Sequence, residues 1–154
     1  MCQFSIIIPA YGNDKYLPAC LESVVQQDNA DWEAIVVNDA SPDNTLEIAE
    51  AYAAKDPRFK VINKEKNAGL HLARLSGVEA SAGDYILFLD ADDELYADTL
   101  SRLAQCLPPD GVIVHFGSKC IASESVDDII AASFESWINK DYPVLSRQSL
   151  LDAI

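Results

Sequence analysis

Four short apolar runs, rich in β-branched residues, limit what this chain can fold into: Phe4-Ser5-Ile6-Ile7-Ile8-Pro9, Trp32 to Asn38 with Ala34-Ile35-Val36-Val37 at its centre, Lys60-Val61-Ile62-Asn63 and Tyr85-Ile86-Leu87-Phe88-Leu89. In the first two the apolar character is continuous rather than alternating, which marks strands buried on both faces and therefore a parallel sheet covered by helices. The stretches between them supply those helices. Leu17, Leu21, Val24 and Val25 recur at helical spacing across residues 14–27, with Pro18 tolerated in the first turn. Ser41-Pro42 predicts an N-cap followed by proline at the first helical position, opening a second helix that runs to about Ala54. A third helix is expected over residues 69–82, broken by Gly83. Leu100, Leu103 and Leu107 mark a fourth, stopped by Pro108-Pro109, and Val112-Ile113-Val114 gives a last strand. Such alternation predicts a layered α/β fold with right-handed crossovers.

Ligands of open α/β sheets bind beyond the carboxyl ends of the strands. The residues to read there are Pro9-Ala10-Tyr11, Asn38-Asp39-Ala40-Ser41 and Asp90-Ala91-Asp92-Asp93. The last group, with Glu94, brings four carboxylates within five residues at the end of an apolar strand. Two unit charges about 5 Å apart at an effective dielectric near 20 repel by roughly 3 kcal/mol, and a hard divalent cation reverses that sign. Mg²⁺ or Mn²⁺ takes one or two carboxylates and completes its shell with water and phosphate oxygens. The alternative is an acidic N-terminal cluster for the helix after Asp98; an EF-hand is disfavoured because no glycine stands at its sixth position. Asp39 either accepts hydrogen bonds from a base N–H or a ribose hydroxyl, or is a turn aspartate. Tyr11 either lays its ring over a flat base or packs on the first helix.

The whole composition narrows the ligand class. The chain has 154 residues, 49% hydrophobic and 23% charged, as expected of one globular domain. A formal charge of −14 argues against DNA or RNA, whose binding needs clustered Lys and Arg, and makes a phosphate ligand hard to hold without a cation. No uninterrupted apolar run of about 18 residues and no basic leader occurs, so neither export nor a membrane span is expected. Cysteines 2, 20, 106 and 120 have no C-x-x-C spacing, and His71 and His115 add no zinc pattern; free thiols in a reducing cytosol are expected. After Val114 the strand pattern stops, and the chain ends with neither capping signal nor polar tail, so it reads as truncated at its C-terminus.

Four motifs in order, Phe4-Ser5-Ile6-Ile7-Ile8-Pro9-Ala10-Tyr11, Ile35-Val36-Val37-Asn38-Asp39-Ala40-Ser41, Asn67-Ala68-Gly69-Leu70 and Gly83-Asp84-Tyr85-Ile86-Leu87-Phe88-Leu89-Asp90-Ala91-Asp92-Asp93, resemble those of the family 2 glycosyltransferases of GT-A fold, over residues 4–114. The resemblance implies a Rossmann-like, mostly parallel sheet, with residues 1–116 as the nucleotide-sugar-binding core and 117–154 as the start of an acceptor-side region. It implies transfer of a sugar, with inversion, from a nucleoside diphosphate donor, most commonly of uridine, to a hydroxyl of a saccharide, lipid-linked or protein acceptor, as in cell-surface polysaccharide synthesis. A cytoplasmic enzyme, with peripheral membrane association compatible, follows from the same likeness.

By that likeness Pro9, Tyr11, Asp39, Arg74, Asp90 and Ala91 line the donor site. Asp39 and Tyr11 hold the base, Asp90 the ribose or the metal shell, and Asp92 the Mn²⁺ or Mg²⁺ that bridges the diphosphate, with Asp90 and Asp93 as further ligand candidates. Arg74 is placed near the phosphates, although a surface ion pair on its helix is the other reading. Asn38 stands where the family commonly has an acid. The general base lies beyond the D-x-D motif in the family and has no counterpart in the matched stretch, so these residues alone are expected to bind donor weakly and turn over little. Residues 125–137 are either an acceptor-side helix or ordinary packing.

Two other catalytic classes share parts of this pattern. A dehydrogenase would need G-x-G-x-x-G after the first strand, where Gly12 stands alone. A phosphatase of the haloacid dehalogenase type would use Asp90 as nucleophile and Asp92 as acid, but its motif opens the domain and is followed by Thr or Val rather than Asp93-Glu94. A non-catalytic module that binds nucleotide sugar is the third alternative.

Overall fold

The computed structural model describes residues 3–106. The elements follow as β1 (Phe4–Ala10), α1 (Leu17–Val25), β2 (Trp32–Asn38), α2 (Thr45–Lys55), β3 (Phe59–Asn63), α3 (Leu70–Ala80), β4 (Tyr85–Phe88) and α4 (Thr99–Cys106). All four strands are parallel, in the order β3-β2-β1-β4. Phe4 registers with Trp32 on one side and Tyr85 on the other. Every residue of β1 and β2 is buried, as continuous apolar runs require.

This order makes β1 the point where the chain reverses. The sheet grows from β1 to β2 to β3 in one direction, then returns to place β4 on the other side of β1. Right-handed crossovers put α1 and α2 on one face and α3, on the return connection, on the opposite face. Consistently, α1 touches α2, whereas α3 lies against β1 and β2. On the α3 face, Ile7, Ile35, Val37 and Ala73 form a core cluster joined by Ile62 and Ile86. Full burial of each such aliphatic side chain contributes about 1.5–3 kcal/mol.

Gly77 brings α3 this close. A Cβ there would stand 2.2 Å from Cγ2 of Ile7. Gly83 has a comparable function at the other end of the sheet, where an added Cβ would meet the Ser5 backbone nitrogen at 2.7 Å. Around that approach Glu33 gathers the Ser5 hydroxyl at 2.6 Å, the Ala82 N–H at 2.6 Å and the Lys60 ammonium at 2.6 Å. The Gly83 N–H donates in turn to the Ser5 hydroxyl oxygen. Burial opposes the Glu33 charge, but these donors outweigh it and hold its carboxyl at about 2.

One expected helix start is corrected. Ser41 does not cap α2, which begins at Thr45 behind Asn44 with no side-chain cap bond. The Ser41 hydroxyl is engaged instead by the neighbouring loop, accepting from the Gly12 N–H and donating to the Ala10 carbonyl. The Asp43 carboxylate receives the Thr45 N–H at the helix entrance. The expected last strand at 112–114, the fourth helix beyond Cys106, residues 125–137 and the 116/117 boundary lie outside the described residues.

Candidate functional site

The carboxyl ends of β1, β2 and β4 and the start of α3 surround a cavity of about 420 Å³. Pro9, Tyr11, Asp39, Asp90, Ala91 and Asp92 all line it, together with Asn13, Asn67, Gly69, Leu70 and Ala73. The site-bearing stretches read from the sequence thus converge where a reversal of strand order leaves a crevice. Arg74 and Asp93 are not among the lining residues; the first reaches in through Asp90, and the second closes the turn behind it.

Two loops form one wall by interlocking. Three consecutive backbone N–H groups after β1 donate to three side chains after β2: Gly12 to the Ser41 hydroxyl, Asn13 to the Thr45 hydroxyl and Asp14 to the Asp43 carboxylate, at 3.0–3.2 Å. Gly12 adopts φ +69°, a turn geometry that glycine accepts without strain. Ala40 adopts φ +59° on the facing loop, a left-handed conformation unusual for a residue with a Cβ. The interlock leaves the Tyr11 ring 53% exposed at the rim, free to cover a planar ligand. Burial works against the Asp43 charge, but hydrogen bonds from Thr45 and from the Asp14 N–H prevail and hold its carboxyl below the usual range.

Asp39 is buried and heavily committed. Its oxygens accept the Ala68 N–H at 3.0 and 3.1 Å, the Gly69 N–H at 2.8 Å and the Lys64 ammonium at 3.1 Å. It thereby fixes the turn Asn67-Ala68-Gly69 that opens α3. Burial again opposes the charge, and these donors keep the carboxyl below its ordinary value. Asn38 is spoken for as well: its amide donates to Asn63 and its carbonyl oxygen accepts the Ser41 N–H.

Past β4 the chain turns tightly, the Asp93 N–H donating to the Asp90 carbonyl. Arg74, reaching from α3, donates to the Asp90 carboxylate at 2.6 Å and lies over the Phe88 ring. This pair spans two elements and is not the ion pair along one helix surface that Arg74's position would suggest. Asp92 and Asp93 are exposed. Local desolvation first, then the Asp92 and Asp90 charges, push the Asp93 carboxyl up. Beneath the turn lies the Cys20 thiol, which donates to the Asp90 carbonyl and is pushed up to about 12 by burial and by Asp93, Glu94, Asp92 and Asp90. Among the described residues no three His, Cys, Asp or Glu side chains close on a common point. Mg²⁺ and Mn²⁺ need no such closure, since water and phosphate oxygens complete their shells. Asp92 on the cavity wall beside Asp90 fits that open arrangement.

Several contributors were not read from the sequence. Ser41 was legible as a helix cap and as one of the residues past the second strand, but not as a partner of the loop after β1; Asp43, Thr45 and Asn13 were not singled out, and Lys64 carried no signal, because its partner lies past another strand.

A family model described as glycosyl transferase family 2 matches residues 5–145. The chain belongs to glycosyl transferase family 2. Among curated members, the uncharacterized glycosyltransferase EpsJ of Bacillus subtilis is 42% identical over 101 residues, covering 66% of this chain and 29% of EpsJ. The putative glycosyltransferase EpsH of the same organism is 34% identical over 141 residues, 90% of this chain and 41% of EpsH. The chain therefore spans well under half the length of these family 2 relatives. Among solved structures, S. aureus TarS 1-349 matches with a TM-score of 0.63 and 36% identity over 67% of this chain and 31% of that 1-349 chain. The mannosyltransferase PcManGT from Pyrobaculum calidifontis, solved with GDP-Man and Mn2+, matches with a TM-score of 0.65 over 71% of this chain and 34% of that one; at 22% identity this likeness speaks to the fold alone. The fold is the α/β GT-A fold of the family.

Proposed function

We propose that this chain carries the donor side of a metal-dependent, inverting glycosyltransferase acting in the cytoplasm on a uridine diphosphate sugar. The observation that carries the reading is the convergence of Tyr11, Asp39, Asp90 and Asp92, from three separate strand ends, on one cavity. TarS has been solved with UDP and with UDP-GlcNAc, which supports uridine as the base. The exposed Tyr11 ring would cover the base, Asp39 would face its edge, Asp90 would lie toward the ribose, and Asp92 would hold the cation. When bound, the cation supplies positive charge against the leaving nucleoside diphosphate.

In the transfer the bond from the anomeric carbon to the phosphate oxygen breaks, a bond to the acceptor oxygen forms, and the acceptor's proton passes to a base outside the described residues. The acceptor is a saccharide, lipid-linked or protein hydroxyl. No described helix is long and apolar enough to cross a membrane.

Titration calorimetry with UDP tests the donor side. Binding should strengthen on adding Mn²⁺ and lose that gain in Asp92→Ala. Equal binding with and without Mn²⁺ would remove the metal from the reading. Phosphate release from a simple phosphoester, lost in Asp90→Asn, would point to a phosphatase, and donor binding by the full-length protein without any transfer would mark a non-catalytic module.

A further inference from the structure

Asp39 enters the cavity with both carboxylate oxygens already engaged. An ionised carboxylate offers about four lone-pair positions. Here the Ala68 N–H bridges both oxygens, the Gly69 N–H takes one and the Lys64 ammonium takes the other. A base edge arriving from the cavity must therefore compete with these three donors for Asp39.

The three donors differ in how easily they give way. Ala68 and Gly69 are backbone groups at the entrance of α3, where Gly69 holds φ +89° and its carbonyl accepts the Ala73 N–H. Withdrawing either would undo the start of the helix. Lys64 has only its side chain on Asp39. Its own backbone N–H is anchored to the Asn38 carbonyl at 3.0 Å, so the stem can swing while the backbone stays. The side chain is 18% exposed, leaving the ammonium a path to water, and Lys64 is not among the residues that line the cavity.

We propose that Lys64 is a displaceable counter-ion of Asp39 that sets base affinity and base choice, competing with the ligand for the same carboxylate. The proposal rests on the cavity being a nucleotide site. A base that presents a ring N–H, as uracil and guanine do, replaces the ammonium with another donor. Cytosine presents an unprotonated ring nitrogen at the equivalent position, and its one donor, the exocyclic amino group, lies displaced along the edge and replaces the ammonium less well. Lys64 thus weakens binding of the right base somewhat and leaves Asp39 satisfied when a wrong one enters.

The test is calorimetry of UDP and CDP, in Mn²⁺, on the wild type, Lys64→Met and Lys64→Arg, each checked by thermal melting. Lys64→Met should bind UDP at least about two- to fivefold tighter, the factor that corresponds to removing a solvent-screened ion pair and so a lower bound for this largely buried one, with a smaller gain for CDP. Lys64→Arg keeps the pair and should bind UDP no tighter than the wild type. Should Lys64→Met fail to melt cooperatively, lysine-ammonium NMR on the wild type decides: the Lys64 signal should shift toward that of a free lysine as UDP is added. UDP binding that is unchanged or weaker in Lys64→Met, or a Lys64 signal indifferent to UDP, overturns the proposal while leaving the nucleotide reading intact. Absence of UDP binding by every variant overturns both.

Discussion

Arg74 on α3 and Asp90 just past β4 meet at 2.6 Å, joining the helix that packs under the sheet to the acidic turn at its edge. Both side chains are partly exposed, 35% and 45%, so the pair matters more for where the carboxylate points than for stability.

Arg74→Ala should therefore lower unfolding free energy by under about 1 kcal/mol. It should also tighten binding of Mn²⁺ alone, because an Asp90 carboxylate freed beside Asp92 adds an oxygen ligand and an uncompensated charge. Arg74→Lys should fall between. Melting curves and manganese titration check both parts; weaker manganese binding in Arg74→Ala would mean that the guanidinium organises the ligand carboxylate rather than competing for it.

Asp43→Ala removes the acceptor shared by the Asp14 and Thr45 N–H groups. Leaving such part-buried donors without partners costs about 1–3 kcal/mol. Amide hydrogen exchange should quicken at Gly12, Asn13 and Asp14 together, since they lean on one facing loop, and UDP affinity should fall as Tyr11 loses its fixed place. Faster exchange confined to Asp14 would argue that the three bonds act independently.

The pH dependence of stability should carry the signature of Glu33. Its folded-state carboxyl lies at about 2, against an ordinary 4.5. A depressed carboxyl contributes stability that is complete above the ordinary value and disappears as pH falls from about 4.5 toward 2. With the half-exposed Lys60 screened by water, the contribution is on the order of 2 kcal/mol. Glu33→Gln should be less stable at neutral pH and show a shallower loss across that acid window, as urea titrations at a series of pH values will reveal.

The two close-approach glycines should respond differently to second-site repair. Gly77→Ala and Gly83→Ala each overpack, at a cost of roughly 1–3 kcal/mol. The added methyl at 77 meets only the side chain of Ile7, so Ile7→Val should recover part of the loss; at 83 it meets the Ser5 hydroxyl but also the backbone of Phe4 and Ser5, so Ser5→Gly, which clears the hydroxyl alone, should recover less. A double-mutant cycle by chemical denaturation measures both couplings.

The strands and the helical segments were legible because burial imposes a pattern on consecutive residues: β1 and β2 had to be continuously apolar, and Leu17, Leu21 and Val24 had to recur on one side of α1. The acidic residues past β4 were legible for a related reason, as four carboxylates in five positions are costly without a use. What stayed hidden depends on distance in sequence. Nothing near Lys64 names Asp39 as its partner, and Arg74 lies sixteen positions from Asp90. The Ser41-Pro42 pair misled because the hydroxyl that could cap α2 finds better company in the loop after β1. Local preference yields where a tertiary partner is within reach.

The placement of β4 beside β1 has a consequence for how the cavity comes into being. Its walls come from residues 9–13, 39, 67–73 and 90–92, and the last of these arrive only when Tyr85 settles beside Phe4, far from it in the sequence. Such distant parallel pairing is slow to form. On an elongating polypeptide the crevice lacks its fourth wall until β4 has emerged and docked, so capture of a small molecule there reports that β4 has joined β1 rather than any earlier stage of assembly.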